Sequence, residues 1–473
     1  MMPAFLHERV MHICAETNRT GAEMVTLNKA QRRAASPDGG ITLVIAGAGT
    51  GKTRTIIEKI NAIIRAGVAR PDNILVLTFS RKAADEIRHR VMLSLGEHAG
   101  SIVSGTFHSF CLGLLRDYSG RFFKVSGYTR FPAVLDETAK EALIMEILRD
   151  SIDSFLGLPV GVVYSLMNDY KKLAPRTRKK LDSLGISDAI ATCVTLYSEA
   201  KKSKNVIDYE DMIDCAITMI RQYPDLRGEL AARFTYVLVD EFQDTSSDNF
   251  ELLHLVIPVE NPNLFVVGDD FQSIYGFRNS RIDYIVNFKK YFRGARIIKL
   301  NLNYRSRKEI VAISNSFIKK NRFRTNKTIR SHKGRGGSVT CHVARDFKHE
   351  LNIVHSILEK EILANETVAI LFRNNWQGRY INLSLRGYNE HLATGKLQLM
   401  TMHSSKGLEF DTVIVAGVTD DILPDADSDI EEERRLMYVA MTRARERLYI
   451  ICHGKKDAEL PLFGRELKLN PIP

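Results

Sequence analysis

VIAGAGTGKTRTII, residues 44–57, passes from an apolar strand-like stretch through a glycine-rich turn into a helical pattern. Gly47, Gly49 and Gly51 let backbone N–H groups approach phosphate oxygens, Lys52 supplies a mobile positive charge, and the Thr53 hydroxyl is placed to join a Mg²⁺ shell. The segment reads as a phosphate-binding loop, with Ala46 where the G-x-x-x-x-G-K-[ST] pattern has its first glycine. A fortuitous glycine turn would not carry both the strand before it and the helix after it.

Working outward, further apolar runs read as short buried strands with helical segments between them: ITLVIAG (41–47), NILVLTF (73–79), YVLVDEF (236–242), NLFVVGD (263–269), ETVAILF (366–372) and DTVIVAG (411–417). That alternation predicts α/β layers with parallel sheets. Between about Cys111 and Gly228 the pattern changes to amphipathic stretches such as ETAKEALIMEILRDSIDSFLG (137–157), which predicts a helical insertion without a convincing strand. In YVLVDEFQDTS, Asp240 and Glu241 close a strand, where ligands bind in open α/β sheets. Alone, such a pair reads as a solvated turn. Beside a phosphate loop, Asp240 becomes the candidate Mg²⁺ ligand and Glu241 the group that positions and deprotonates the attacking water.

The 473 residues suffice for two to four domains, and 44% hydrophobic with 26% charged residues sets aside disordered and membrane classes. A net charge of +11 makes a polyanion a reasonable partner without proving one. The six cysteines form no C-x-x-C pair, so neither a zinc knuckle nor a disulfide framework is indicated. The opening MMPAFLHERVMHICAE lacks a signal peptide's apolar core, and no stretch reaches the roughly 20 apolar residues of a membrane span. A cytoplasmic location and no membrane partner are expected.

Ten motifs stand in one order: LNKAQ (27–31), AGAGTGKTR (46–54), TFSRKAADEI (78–87), GTFHSF (105–110), VDEFQDT (239–245), VVGDDFQSIYGFR (266–278), LNLNYRS (300–306), LFRNN (371–375), MTMHSSKGLEF (400–410) and EEERRLMYVAMTRARERL (431–448). Their order resembles that of the UvrD/Rep/PcrA helicases of superfamily 1. The resemblance implies an α/β fold of two RecA-like P-loop NTPase domains, with ATP and Mg²⁺ between them and single-stranded DNA across their tops. Residues 1–20 read as a mobile arm or a short helix, and the resemblance places the first RecA-like domain at 21–110 and 231–281, a helical insertion at 111–230, and the second RecA-like domain at 282–473.

On that reading Gln31 reads the adenine edge, while Tyr304 and Arg54 sandwich the ring. Gln272 and Arg305 reach the γ-phosphate, Glu409 touches the ribose, and Arg443 is an arginine finger from the second domain, beside the catalytic Lys52, Asp240 and Glu241. Arg434 and Arg435, beside Glu431, Glu432 and Glu433, read instead as salt-bridge partners. Phe79, Phe107, His108, Tyr275, Phe277, Arg278, Arg373 and His403 occupy the family's DNA-contact positions, with Phe277 where tryptophan is common. The basic runs KKLAPRTRKK (171–180) and NRFRTNK (321–327) would extend a phosphate track, although solvated helix faces explain them equally well.

The family's larger members carry a second inserted subdomain between LFRNN and MTMHSSKGLEF. Here only residues 376–399 fill that interval. Little or no second insertion is expected, which implies ATP-driven movement on a single strand with 3′-to-5′ polarity and leaves processive unwinding of a 3′-tailed duplex as the conditional claim. So reduced a chain also resembles the helicase-like subunits of bacterial anti-phage systems such as Gabija, which work beside a nuclease. DNA repair, replication and phage defence all remain open, as does a role as an ATPase sensor that regulates a partner nuclease.

Overall fold

The computed structural model describes residues 26–150 and 185–473, apart from 363–365, 421, 427, 455–459 and 473, together with positions 163, 166–167 and 181–183. The expected N-terminal arm and the basic run 171–180 lie outside the described residues.

Among the described residues the strands are β1 (Ile41–Ala46), β2 (Ile74–Thr78), β3 (Val103–Thr106), β4 (Ala133–Val134), β5 (Val206–Ile207), β6 (Tyr236–Val239), β7 (Leu264–Gly268), β8 (Arg296–Leu300), β9 (Leu302–Asn303), β10 (Arg330–Ser331), β11 (Ser338–Ala344), β12 (Val368–Phe372), β13 (Leu397–Thr401), β14 (Phe410–Val418), β15 (Ala444–His453) and β16 (Pro471–Ile472). Two six-stranded sheets result, in the orders β3-β2-β6-β7-β1-β8 and β13-β12-β14-β15-β11-β16. Every pairing in them is parallel. Parallel strands need crossovers, and crossovers cover both faces of a sheet. That is why β2, β6, β7 and β12 read as unbroken apolar runs and are buried along their whole length.

The expected boundary at 281 is displaced. β8 pairs with β1 along Thr42–Ala46 and so completes the first sheet from beyond that point. The segment after β7 also reaches across, because Ile274 is buried inside the second domain's core.

The helical insertion is present but narrower than 111–230. Helices Phe107–Asp117 and Tyr209–Gln222 bury Phe110, Leu114, Ile213 and Ile217 in the same cluster as the first sheet. Helices Glu137–Asp150 and Ser187–Ser203 instead build a core of their own around Leu143, Ile144, Ile190 and Cys193. A strand pair missing from the expectation, β4 with β5, ties the ends of this unit together. Two residues per strand are too few for a periodic signal in the sequence.

Between β12 and β13 lie helix Asn375–Ser384, a turn at Leu385–Tyr388 and helix Asn389–Ala393. This is an ordinary crossover, without a separate subdomain. No described helix is long and apolar enough to cross a membrane.

The run 321–327 is not a phosphate track at its carboxyl end. Lys327 is fully buried against Asp269 at 2.7 Å and against Asp270, and its ammonium lies 3.8 Å from the Phe271 ring centroid. Asp270 also accepts from the Thr325 amide at 2.7 Å, and Lys327 with Thr325 holds its carboxyl below the usual range despite burial. Removing one member of such a pair strands a buried charge. Lys327→Met is expected to lower stability by about 3–5 kcal/mol in urea unfolding; an unchanged midpoint would refute this account of the seam.

Candidate functional site

The phosphate loop is shaped by backbone conformations that side chains resist. Gly49 (φ 65°) and Gly51 (φ 83°) are left-handed, and a Cβ on Gly49 would stand 2.7 Å from the Cβ of Arg305. Lys52 then opens the helix Lys52–Arg65, where helix geometry presents amide groups and partial positive charge to an anion.

Gln31 braces this loop. Its Nε2 donates to the Thr50 carbonyl at 3.0 Å, and its Oε1 accepts from the Asn28 amide at 2.9 Å. Asn28 caps the short helix Lys29–Ala35 in return, and its Nδ2 donates to the Tyr304 hydroxyl at 2.9 Å. The structure thus joins Gln31, Asn28 and Tyr304 at the mouth of the loop. Arg54 projects from the first turn of the following helix.

At the carboxyl end of β6, Glu241 adopts φ 49° and ψ 44°, a conformation uncommon for a non-glycine residue and concentrated at functional sites. Its carboxylate lies 3.1 Å from Lys52 Nζ. Burial opposes the lysine's charge, but Glu241, Asp269 and Asp240 outweigh it and raise the Lys52 pKa. Glu241 is lowered to about 2, since Lys52 and Lys406 overcome its desolvation. Asp240 goes the other way and is pushed up to about 7 by burial and by Glu241.

Arginines from the far side complete the arrangement. Arg443, 1% exposed, donates to the carbonyls of Val439 (2.9 Å) and Leu408 (3.1 Å) and to Gln272 Oε1 at 3.3 Å. Gln272 in turn donates to Asp269. Burial and the neighbouring Arg305 push the Arg443 guanidinium down to about 9, as expected of a cation short of counter-charge. Arg305 pairs with Glu409 at 2.5 Å and donates to the Thr442 carbonyl at 3.2 Å. Glu409 also pairs with Arg445, so its carboxylate is shared by two guanidinium groups.

The site therefore holds an under-neutralised carboxylate, Asp240, and an under-neutralised cation, Arg443, both with Glu241 as a charged neighbour. A divalent cation with a polyphosphate would satisfy both. Asp240, with Thr53 one residue after Lys52, fits the hard-oxygen donor set of Mg²⁺.

Two connecting residues escape a motif-by-motif reading. Lys406 reaches from the second domain to Asp244 at 2.5 Å and to the Gln272 carbonyl at 3.0 Å, and it lies 4.6 Å from the Tyr275 ring centroid. Asn303 donates to the Ala48 carbonyl at 2.8 Å and accepts from the Arg305 amide at 2.8 Å. Each stands within a few residues of a recognised position, which was the available signal.

The aromatic expectations divide. Phe79 stacks on Tyr275 (centroids 5.1 Å, planes 15° apart), Tyr275 meets Phe277 at 5.9 Å, and Phe277 meets His403 at 5.7 Å. Phe277 is 62% exposed, and Arg278 lies over both Tyr275 and Phe277. His403 is pushed down to about 4 by burial and by Arg373, Lys406 and Arg278, which leaves a neutral ring among cations. Arg373 pairs with Glu433 at 3.0 Å.

Phe107 is corrected: it is buried in the first domain's core, because the helix it opens turns that face onto the sheet. His108 packs edge-on against Tyr209 at 5.4 Å rather than joining the aromatic row. Arg435 pairs with Glu431 as expected, whereas Arg434 chooses Glu466 at 2.9 Å.

The UvrD/REP helicase N-terminal domain matches residues 27–293, and the UvrD-like helicase C-terminal domain matches 298–389 and 382–455. Similar relatives include the ATP-dependent DNA helicase PcrA of Leuconostoc citreum, 31% identical over 76% of this chain and 48% of its own length. The protein of the same name from Staphylococcus aureus is 30% identical over 84% and 54%, and that from Staphylococcus epidermidis 32% over 75% and 49%. The chain spans about half the length of the curated relatives it matches. Since the match starts ahead of the first strand and runs through the last long one, in the order in which both sheets are built, the chain belongs to the UvrD/REP helicase family.

Proposed function

We propose that this chain is an ATP-driven motor on single-stranded DNA. The observation that carries the reading is the contact of Arg443 with Gln272, which brings a second-domain guanidinium to the same pocket as Lys52, Asp240 and Glu241. Lys52 and the loop amides bind the β- and γ-phosphate oxygens. Glu241, ionised and held in place by Lys52 and Gln243, orients the attacking water and accepts its proton once the Lys52 charge is turned to phosphate. Arg443, Arg305 and Gln272 stabilise charge that develops on the transferred phosphoryl group. Gln31 holds the base edge, with Tyr304 and Arg54 on its two faces and Glu409 toward the sugar. Mg²⁺ on Thr53 and Asp240 would neutralise phosphate charge.

Because the guanidinium and the phosphate loop sit on different domains, their approach requires the cleft to close. Phe79, Tyr275, Phe277 and His403 line the adjoining surface, and Lys406 touches both Gln272 and Tyr275. Closure at the nucleotide is thereby passed to the strand, where exposed rings stack bases without reading sequence.

The short crossover between β12 and β13 favours strand translocation over processive unwinding. It also fits a second reading, in which the chain is a nucleic-acid-stimulated ATPase that regulates a partner nuclease in phage defence. A free-standing repair or replication helicase with 3′-to-5′ polarity is the first.

ATP turnover should rise strongly with single-stranded DNA and nearly vanish in Lys52→Ala and Glu241→Gln. Arg443→Ala should lose about 10³–10⁵-fold in the stimulated rate. Turnover indifferent to DNA would sink the motor. Tyr275→Ala should weaken oligonucleotide binding by about 1–3 kcal/mol, read by fluorescence anisotropy; unchanged affinity would return the ring to a purely packing role. Strand displacement on 3′-tailed and 5′-tailed duplexes tests unwinding: activity on the 3′-tailed substrate supports a helicase, and failure on both with intact DNA-stimulated ATPase supports a translocase or a regulatory subunit over a helicase.

A further inference from the structure

Helix Asn375–Ser384 carries Trp376, Tyr380 and Leu383 at i, i+4 and i+7, which places them in one stripe. All three face solvent, at 40%, 62% and 61% exposure. Phe347, at the first position of helix Phe347–Ile362, is 42% exposed and meets Trp376 edge-on at 5.5 Å and Tyr380 nearly parallel at 6.4 Å. His453, the last residue of β15, closes the group at 5.0 Å from Phe347. Scattered exposed apolar residues need no explanation, but rings clustered in mutual contact on a surface mark a binding site.

The position of the cluster says what binds. Phe347 follows β11, Trp376 follows β12 and His453 ends β15, so the cluster stands at the carboxyl edge of the second sheet. Arg373 and His403 rise from that same edge. A cavity of about 580 Å³, lined by Phe277, Arg373, Asn375 and His403 among others, runs from the row of stacked rings to the residue preceding Trp376. Arg345 and Lys348, two residues before and one after Phe347, and Arg379, one before Tyr380, are exposed cations able to meet phosphate; of the carboxylates that also line the cavity, Glu433 is paired with Arg373 and Glu432 accepts from the Gly276 amide. The neighbouring Asp346 caps its helix, accepting from the His349 amide at 2.7 Å. Flat exposed rings interleaved with guanidinium and ammonium groups form a stacking platform for unpaired bases.

We propose that Phe347, Trp376 and Tyr380 form a second stacking platform that takes bases of the same single strand beyond the row Phe79, Tyr275 and Phe277. The proposal rests on the DNA-motor reading and adds to it an extension of the track on the second domain. It lies on the crossover that occupies the interval where larger relatives carry a subdomain.

Trp376 is the single tryptophan of the chain, so its emission reports this surface alone. The full chain would be titrated with unlabelled oligothymidylate while tryptophan emission is read, and in parallel with a fluorescein-labelled oligomer read by anisotropy. Saturating DNA should quench the emission. Trp376→Ala should bind about ten-fold more weakly, and Trp376→Phe, which keeps a flat face, should recover most of the loss. Saturable binding with unchanged emission and unchanged affinity in Trp376→Ala would overturn the platform while leaving the motor standing, and would assign the surface to a protein instead. No binding by anisotropy, together with DNA-independent ATP turnover, would overturn both.

Discussion

Four buried carboxylates at the ends of two neighbouring strands, Asp240 and Asp244 after β6 and Asp269 and Asp270 after β7, impose the condition on which the molecule depends. Unpaired, each would be too costly to hold charged away from water. The first domain supplies Lys52. The remaining counter-charge arrives from elsewhere: Lys327 from the segment after helix Lys308–Ile318, and Lys406 from the second domain. The two domains are therefore electrostatically incomplete apart. Packing at the same seam, with Phe271 edge-on to Tyr438 at 5.5 Å beside Ala48 and Ile318, gives the contact a dry centre.

The balance is deliberately uneven around the phosphate loop. Asp270 is fully compensated, whereas Asp240 is pushed up and Arg443 pushed down. Compensated groups hold the architecture, and in the proposed motor the uncompensated ones are those that the charges of a nucleotide would balance. Asp244 stands between these cases. Burial pushes it up to about 6 even with Lys406 alongside, and one of its oxygens has no hydrogen-bond partner. Any charge added at the loop thus changes the balance felt by Lys406, which also touches the ring of Tyr275. In the proposed motor this is a physical route from phosphate to base, carried by one ammonium group with three neighbours.

Where larger relatives place a subdomain, this chain presents a crossover with an exposed aromatic face. The nucleotide machinery and the row of stacked rings do not pass through that crossover. Lys52, Asp240, Glu241 and Gln272 follow the carboxyl ends of β1, β6 and β7 in the first sheet, and Arg373 and His403 follow those of β12 and β13 in the second.

The sequence by itself determined the alternation of strands and helices, the phosphate loop, the carboxylate pair and the order of the two domains. These depend on local properties: apolar runs of strand length, glycines at left-handed positions, and charged residues at strand ends. β8, RIIKL, was not legible because its exposed edge positions interrupt the apolar run; β15 opens on ARER, whose charges hide a strand that becomes apolar only at LYIIC. Tertiary structure alone decided that Phe107 enters the core while Phe79 stacks in the open, and that Lys327 in a basic run is buried between two aspartates. An aromatic or a lysine reads the same along the chain in either setting. Its role is set by which distant partner folds against it, as Tyr275 does for Phe79 and Asp269 and Asp270 do for Lys327, because burial and charge pairing are properties of neighbours in space and not of neighbours in sequence.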